Sequence, residues 1–335
     1  MNWLGLDIGG ANIKAASTDG LALSIPFRFW VEHEQLRTVL ERIIKDSAAT
    51  NVAVTMTAEL ADCFPSRKAG VESIVDCVEA VCEKLKLDAP VFAATDVEFR
   101  SANQAKSMWQ KTAAANWAML TAYAARFFQS SNGLVVDMGS TTTDIIPVKN
   151  GNVAAIGKTD FQRLQNGELV YIGADRTPVC SVVDSLTIGG IRTPIAREFF
   201  ATVGDAMLLC GYRQEDTSDS DTADGRPRTK EDAARRICKM VCEDADEFAV
   251  DDAEELANQI LSKINVLVVD AISRHEPEPK EIIVTGSGLR FAKAFIENSF
   301  RGTAVNSLGS LVNQPIDDIA PAYAVAILAS EKFKP

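Results

Sequence analysis

After three residues the chain reads "LGLDIGGANIK", Leu4 to Lys14. An apolar run leads into an acid, Asp7, then into two glycines, Gly9 and Gly10, then to Lys14. Glycines at the end of a strand close a tight hairpin, or they let bare backbone approach an anion with a metal between. On this stretch alone both readings stand. A second stretch, "LVVDMGSTTTD" (Leu134 to Asp144), repeats the pattern of apolar strand, Asp, any residue, Gly, then small hydroxylated residues. A third, "IIVTGSGLR" (Ile282 to Arg290), is again an apolar strand running into glycine, with a helix after it. One Asp-x-Gly turn is weak evidence, but two in one chain suggest a duplicated unit.

The three turns suit a diphosphate or nucleotide held between two lobes. Glycine N–H groups can approach phosphate oxygens with no Cβ in the way. The candidate phosphate contacts are Gly9, Gly10, Asn12 and Lys14 in the first turn and Gly139, Ser140, Thr141 and Thr142 in the second, with Thr143 as a further hydroxyl. Gly286, Ser287 and Gly288 form the third, where a helix opening near Leu289 would aim its amides at the ligand. Asp7 and Asp137 are the candidate Mg²⁺ ligands, directly or through water.

The 335 residues allow about two domains. Hydrophobic content of 47% and charged content of 24% are those of an ordinary globular protein. A net charge of -12 repels nucleic acid and anionic membranes, so neither is expected as a partner. No signal-peptide pattern and no membrane span is read, and the seven cysteines are scattered through apolar stretches. A cytoplasmic protein with reduced thiols is expected. Cys238 and Cys242 share a helix face, but neither His33 nor His275 completes a zinc set. Strand and helix patterns alternate along the chain, an α/β arrangement with a partly parallel sheet. Residues 1–130 are expected to form one lobe and 131–335 the other. The acidic stretch "EDTSDSDTADGRPR" (Glu215 to Arg228) is expected to be a flexible, solvated insertion.

"DIGGANIK", "DMGSTTTD" and "VTGSGLR", in that order, resemble the two phosphate loops and the adenosine-side loop of the actin/hexokinase/heat-shock-ATPase superfamily. The resemblance implies a duplicated two-domain, actin-like (ribonuclease H-like) fold with its ligand in a cleft between the lobes. A narrower resemblance lies between the second and third loops. "GKTDFQRLQNGELVYIGADRTPVCSV" (Gly157 to Val182) and "AAANWAML" (Ala113 to Leu120) resemble blocks of the hydantoinase/oxoprolinase-like family. That family is associated with tetrahydromethanopterin-linked one-carbon metabolism. Its archaeal members act in methanofuran assembly, joining an aminomethylfuran diphosphate to the phenol of a glutamyl-tyramine and releasing diphosphate. The resemblance implies a Mg²⁺-dependent transferase acting on a small molecule.

Such a condensation needs a base for the phenol and neutralisation of the leaving diphosphate. Candidate bases are Asp96, Asp144 and Asp160. Asp96 follows the strand "PVFAAT", where sugar kinases of the superfamily place a catalytic acid; as a bland alternative it caps a helix. Asp144 is a second acid near the metal or a turn acceptor. Arg163 and Arg176 are candidate anion clamps, Arg192 a weaker one. Tyr171 would stack on a flat substrate or sit in the core. Asn116 and Trp117 are placed mid-helix, Asn116 addressing the cleft and Trp117 packing. Cys180 has no histidine near it in sequence to activate it as a nucleophile. Ala11-Asn12 stands where many superfamily members carry Thr or Ser, and Ser140 where relatives keep a second glycine. The same loops would serve ATP, so an ATP-dependent small-molecule kinase is the alternative enzyme. A nucleotide-binding regulatory or assembly module is the alternative outside enzymes. Assembly into a homo-oligomer is left open.

Overall fold

The computed structural model describes residues 2–245 and 250–334. The chain begins with β1 (Trp3–Ile8), β2 (Asn12–Ser17) and β3 (Ala22–Pro26), then α1 (Leu36–Ser47), β4 (Asn51–Met56) and α2 (Arg67–Lys84). It continues through β5 (Val91–Ala93), β6 (Phe99–Arg100) and α3 (Asn116–Ala124) to β7 (Asn132–Met138), β8 (Thr143–Lys149) and β9 (Asn152–Val153). Next come α4 (Asp160–Asn166), β10 (Leu169–Val170), β11 (Ser185–Ile188), β12 (Ile191–Pro194), α5 (Val203–Leu209) and α6 (Lys230–Lys239). The chain then forms α7 (Val250–Ser273), β13 (Glu281–Thr285), α8 (Leu289–Ser299), β14 (Ala304–Ser307) and α9 (Ala320–Lys332).

Two sheets share one plan. The first has the strand order β3-β2-β1-β4-β5-β6, and the second β10-β8-β7-β13-β14 with β9 also on β8. In each, a hairpin supplies two neighbouring strands, and a strand reached through a long crossover lies beside the hairpin's first strand. In the first sheet β1 pairs antiparallel with β2 and parallel with β4, which pairs parallel with β5. A parallel pair needs such a crossover, and helices fill it. That is why β1 and β4 are buried along their whole length and read as apolar runs.

The chain forms two compact units. One comprises residues 1–135, 146–168 and 306–335, and the other 136–145 and 169–305. The first has a core of Leu4, Leu6 and Ile8 from β1, Val52 and Val54 from β4, and the apolar faces of α1 and α2. Helix α9 packs on β1 and α3, and Trp3 stacks on Phe333 with ring centres 5.5 Å apart. In the second unit α7 packs against α5, α6 and α8. Among the described residues, one helix, Asp252–Ser273 within α7, is long and apolar enough to cross a membrane, and its neighbours cover part of it: 44% of its most apolar window is buried, while Val266 is exposed.

Three details differ from the sequence reading. Ala114 adopts φ 47°, in the left-handed region, so the alanine run does not all join the helix. Asn116 and Trp117 therefore open α3 instead of lying in its middle. Asp96 lies in the turn between β5 and β6 and caps no helix. The stretch 215–228 lies at the surface with most of its residues exposed, as expected, but several of its acids are tied to arginines. Asp216 and Arg228 form a bridge, with the Asp216 N–H donating to the Arg228 carbonyl at 2.9 Å. Arg228 is buried and donates to Asp219 at 2.6 Å and Asp175 at 3.0 Å. Asp224 accepts from the fully buried Arg236, which also donates to Asp205, both at 2.9 Å.

Candidate phosphate-binding turns and the residues around them

The first turn belongs to the first unit. It closes the β1–β2 hairpin with the Gly9 N–H donating to the Asn12 carbonyl at 3.0 Å. Asp7 and Lys14 stand opposite each other in register, on one face of the pair. Asp7 is buried at the end of β1. The carbonyls of Gly10 and Ala11 accept the N–H groups of Phe29 and Phe27 at 3.0 and 2.9 Å, which pins the outside of the loop.

The second turn belongs to the second unit and repeats the first. Its Gly139 N–H donates to the Thr142 carbonyl at 2.9 Å, the same three-residue span. Asp137 and Asp144 are both buried, and Asp144 stands seven positions after Asp137, as Lys14 does after Asp7. The family-like block clasps this turn. Ser140 offers its carbonyl to the N–H groups of Asp175 and Arg176 at 3.1 and 2.9 Å, and Gly139 to that of Ala174 at 2.9 Å. A Cβ on Gly173 would overlap the backbone of Ser140 and Thr141, so no other residue lets the two segments come this close. Thr143 Oγ1 donates to the Ile172 carbonyl at 2.7 Å, and Thr177 Oγ1 accepts from the Gly173 N–H at 2.9 Å.

The third turn packs onto the second. The Gly288 N–H donates to the Met138 carbonyl at 2.8 Å. Gly286 has φ 96°, and a Cβ there would strike both that carbonyl and Asp137 Oδ1. Helix α8 opens at Leu289, as read from the sequence. Within the second unit, Asp137, Gly139–Thr142 and Gly286–Gly288 thus form one constellation with residues 173–177.

The remaining candidates divide. Asp160 accepts from Arg163 at 2.8 Å, and the buried Arg163 guanidinium lies 4.7 Å from the centre of the Trp117 ring. Both family-like blocks therefore meet in the first unit, and Trp117 carries the stacked cation as well as packing. Asn116 is one residue away, at the start of α3. Asp96 is gripped by Arg100 through both carboxylate oxygens at 2.8 and 2.7 Å and by Lys111 at 3.0 Å. The Arg100 hydrogen bonds, reinforced by Lys111 against partial burial, hold its carboxyl down to about 2, which leaves little basicity. Arg176 lies 3.9 Å from Asp221 of the acidic stretch. Tyr171 is exposed, not a core residue, and Arg192 is exposed on β12.

Four residues escaped the sequence reading. Glu168 is fully buried and its two oxygens accept the Ile156 and Gly157 N–H groups at 2.6 and 2.8 Å, shaping the turn before Asp160. Asp175 takes Arg213 at 2.7 Å and Arg228 at 3.0 Å. Thr55 is buried at the end of β4, and Glu59 just beyond it. Their only signal was a polar residue set among apolar and small ones, as in "TMTAELA". Among the described residues no group of three or more His, Cys, Asp or Glu is arranged to hold a metal ion. Asp7 and Asp137 each offer a hard carboxylate oxygen beside glycine amides. That donor type fits Mg²⁺, which takes one or two carboxylates and completes its shell with water and phosphate oxygens.

Known proteins resemble the chain in sequence and in fold. Residues 50–298 match the hydantoinase/oxoprolinase family model. The chain is 32% identical over 338 residues to a synthase from Methanocaldococcus jannaschii, covering 98% of both chains. That protein is named for its product, (4-{4-[2-(gamma-L-glutamylamino)ethyl]phenoxymethyl}furan-2-yl)methanamine. A synthase of the same name from Methanococcus vannielii is 31% identical over 206 residues, 60% of this chain and 92% of that one. Among solved structures, a ROK family glucokinase from Streptomyces griseus in complex with glucose and AMPPNP has a TM-score of 0.50 at 13% identity, covering 99% of this chain and all of that one. A nucleotide-free acetone carboxylase has a TM-score of 0.52 at 12% identity, covering 94% of this chain and 51% of that one. These structural likenesses concern the fold, which is the duplicated, actin-like α/β fold.

Proposed function

The chain belongs to the hydantoinase/oxoprolinase family, and from that premise we propose that it is a transferase of one-carbon coenzyme biosynthesis, of the methanofuran type. It joins an aminomethylfuran diphosphate to the phenol of a glutamyl-tyramine and releases diphosphate. The observation that carries this reading is the double use of one stretch. The block Gly157–Val182 that resembles the family is also the block that clasps the second glycine turn.

In the reaction the phenol oxygen attacks the furfuryl carbon as the bond to diphosphate breaks. The furan ring stabilises the positive charge developing at that carbon. Negative charge accumulates on diphosphate, and fixed amides and cations are the groups that stabilise it. The amides of the glycine turns and Lys14 serve this role. Asp7 in the first unit's turn and Asp137 in the second unit's turn would each hold Mg²⁺, directly or through its waters, and the metal would neutralise the leaving group. Asn116 and Arg176 address the small-molecule substrate, and the exposed Tyr171 ring offers it a flat face. The reaction needs no nucleic acid or membrane, and its reduced thiols suit a cytoplasmic setting.

The test is direct. The purified protein is mixed with the aminomethylfuran diphosphate, γ-glutamyltyramine and Mg²⁺, and the aryl ether and diphosphate are followed by mass spectrometry and a phosphate assay. Equal amounts of ether and diphosphate are expected. Turnover of ATP with phosphate on an acceptor, and no ether, would replace this reading with the kinase, which the same glycine turns serve equally well.

A further inference from the structure

Beyond β4 the first unit makes a short turn, Ala58–Leu60, tied to the first glycine loop. The Thr57 N–H donates to the Ile8 carbonyl at 2.9 Å, and Thr57 Oγ1 lies 3.5 Å from where a Gly9 Cβ would be. Glu59 sits in this turn, 1% exposed. Helix α2 presses it into place: a Cβ on Gly70 would overlap the Glu59 backbone. Arg67 Nη2, on the first turn of α2, stands 3.4 Å from Glu59 Oε1. Oε2 has no hydrogen-bond partner among the described residues. Neither has Thr55 Oγ1, buried on β4 in register with Asp7. Buried polar atoms are satisfied in the great majority of cases, and the exceptions call for an explanation such as catalysis. Here two such atoms lie four residues apart, beside a glycine turn.

The charges around Glu59 are few. Burial pushes its carboxyl up to about 7; Arg67 pulls it down, and Asp160 at the start of α4 pushes it up. Asp160 is the residue that pairs with Arg163, and Arg163 stacks on Trp117. The family-like residues of this unit are therefore electrostatically coupled to a buried acid outside either block.

We infer that Glu59 is the general base of the condensation, an inference that rests on the transferase reading. The phenol O–H proton passes to Glu59 Oε2 as the phenol oxygen bonds to the furfuryl carbon. The carbon–oxygen bond to diphosphate breaks, and its electron pair leaves with the diphosphate. A base that titrates near neutrality is matched to this task, ionised often enough to act and basic enough to pull the proton. Asp96, held by two cations, is not.

The experiment follows ether formation against pH for the wild-type protein and for Glu59→Gln, which keeps the size and removes the basicity. In the wild type, kcat should fall on the acid side with a midpoint near neutrality. In Glu59→Gln it should drop on the order of 10²- to 10³-fold and lose that limb, while diphosphate binding by calorimetry is unchanged. A ring-fluorinated tyramine acceptor, ionised at lower pH, should recover most of the lost rate in Glu59→Gln, because a phenolate needs no base. Undiminished kcat in Glu59→Gln, or no recovery with the fluorinated acceptor, overturns the inference. Should that variant not fold, Arg67→Met carries the test: removing the cation should move the acid limb to higher pH, and an unmoved limb overturns the inference. A wild-type protein that makes no ether at any pH refutes the transferase reading itself, and the inference with it.

Discussion

Glu59 shows how a single residue evades sequence reading. A glutamate one turn past a strand looks like an ordinary surface residue, and only packing reveals that it is 1% exposed. The turns after Asp7 and Asp137 were legible because a tight turn at the end of an apolar strand calls for glycine. Asp96 was legible as an acid at a strand's end, but not as the partner of Arg100 and Lys111, because a short hairpin leaves no periodic trace. The buried carboxyl of Glu59 has a consequence for stability as well as for rate. Its value in the fold, about 7, lies above the ordinary 4.5, because burial disfavours the charge. Between those two values the folded protein keeps a proton that the unfolded chain releases. The contribution is fully present below about 4.5 and lost as pH rises through about 7, an effect of roughly 3 kcal/mol. Glu59→Gln has no proton to lose. Denaturant unfolding should therefore show the wild type falling relative to Glu59→Gln between pH 4.5 and 7.5. Parallel curves for the two proteins would mean that the carboxyl stays ionised inside the fold.

At the scale of elements, periodicity made the amphipathic helices and apolar strands visible, and α1, α2, β4 and β7 follow it closely. It failed where the physics is not periodic. The stretch 215–228 has the composition of a solvated loop and is mostly exposed, and what composition does not show is that Asp219 and Asp224 are partners of buried arginines, Arg228 at its own end and Arg236 on α6. A composition argument counts charges; it does not see that Arg236, fully buried on α6, needs both Asp205 and Asp224. Removing one member of a buried ion pair leaves the others desolvated without compensation, which costs about 3–5 kcal/mol. Arg236→Ala should lower the denaturant midpoint accordingly with little change in the slope. Arg197→Ala is the control. Arg197 and Asp184 are 3.3 Å apart with side chains 80% and 76% exposed, and an exposed pair of this kind should contribute nothing measurable. Equal midpoints for Arg236→Ala and the wild type would show that the pairs of Arg236 with Asp205 and Asp224 add no net stability.

Across the whole molecule, the duplication is the feature the sequence carries most openly. Asp-x-Gly after an apolar strand occurs twice, and each occurrence closes a hairpin whose first strand is flanked by a crossover strand. Both turns place the same N–H to carbonyl bond over the same span, 3.0 Å in one and 2.9 Å in the other. Each aspartate is buried near the end of its strand, where a charge is costly unless it is paired. The turns are not identical, however. Opposite Asp7 stands Lys14, whereas seven positions after Asp137 stands a second acid, Asp144. On the proposed reading Lys14 supplies the first turn's positive charge toward phosphate, and the second turn relies on Mg²⁺ for it. Asp137→Asn should consequently lose Mg²⁺-dependent diphosphate binding at least about tenfold, a change of roughly 1.4 kcal/mol or more. Asp7→Asn should also weaken binding with Mg²⁺, but should leave more of the Mg²⁺-independent binding, since Lys14 remains. Calorimetry with diphosphate, in Mg²⁺ and in chelator, separates the two. If Asp137→Asn binds diphosphate as tightly as the wild type in Mg²⁺, the second turn is a structural relic of the duplication, and the phosphate chemistry belongs to the first turn alone.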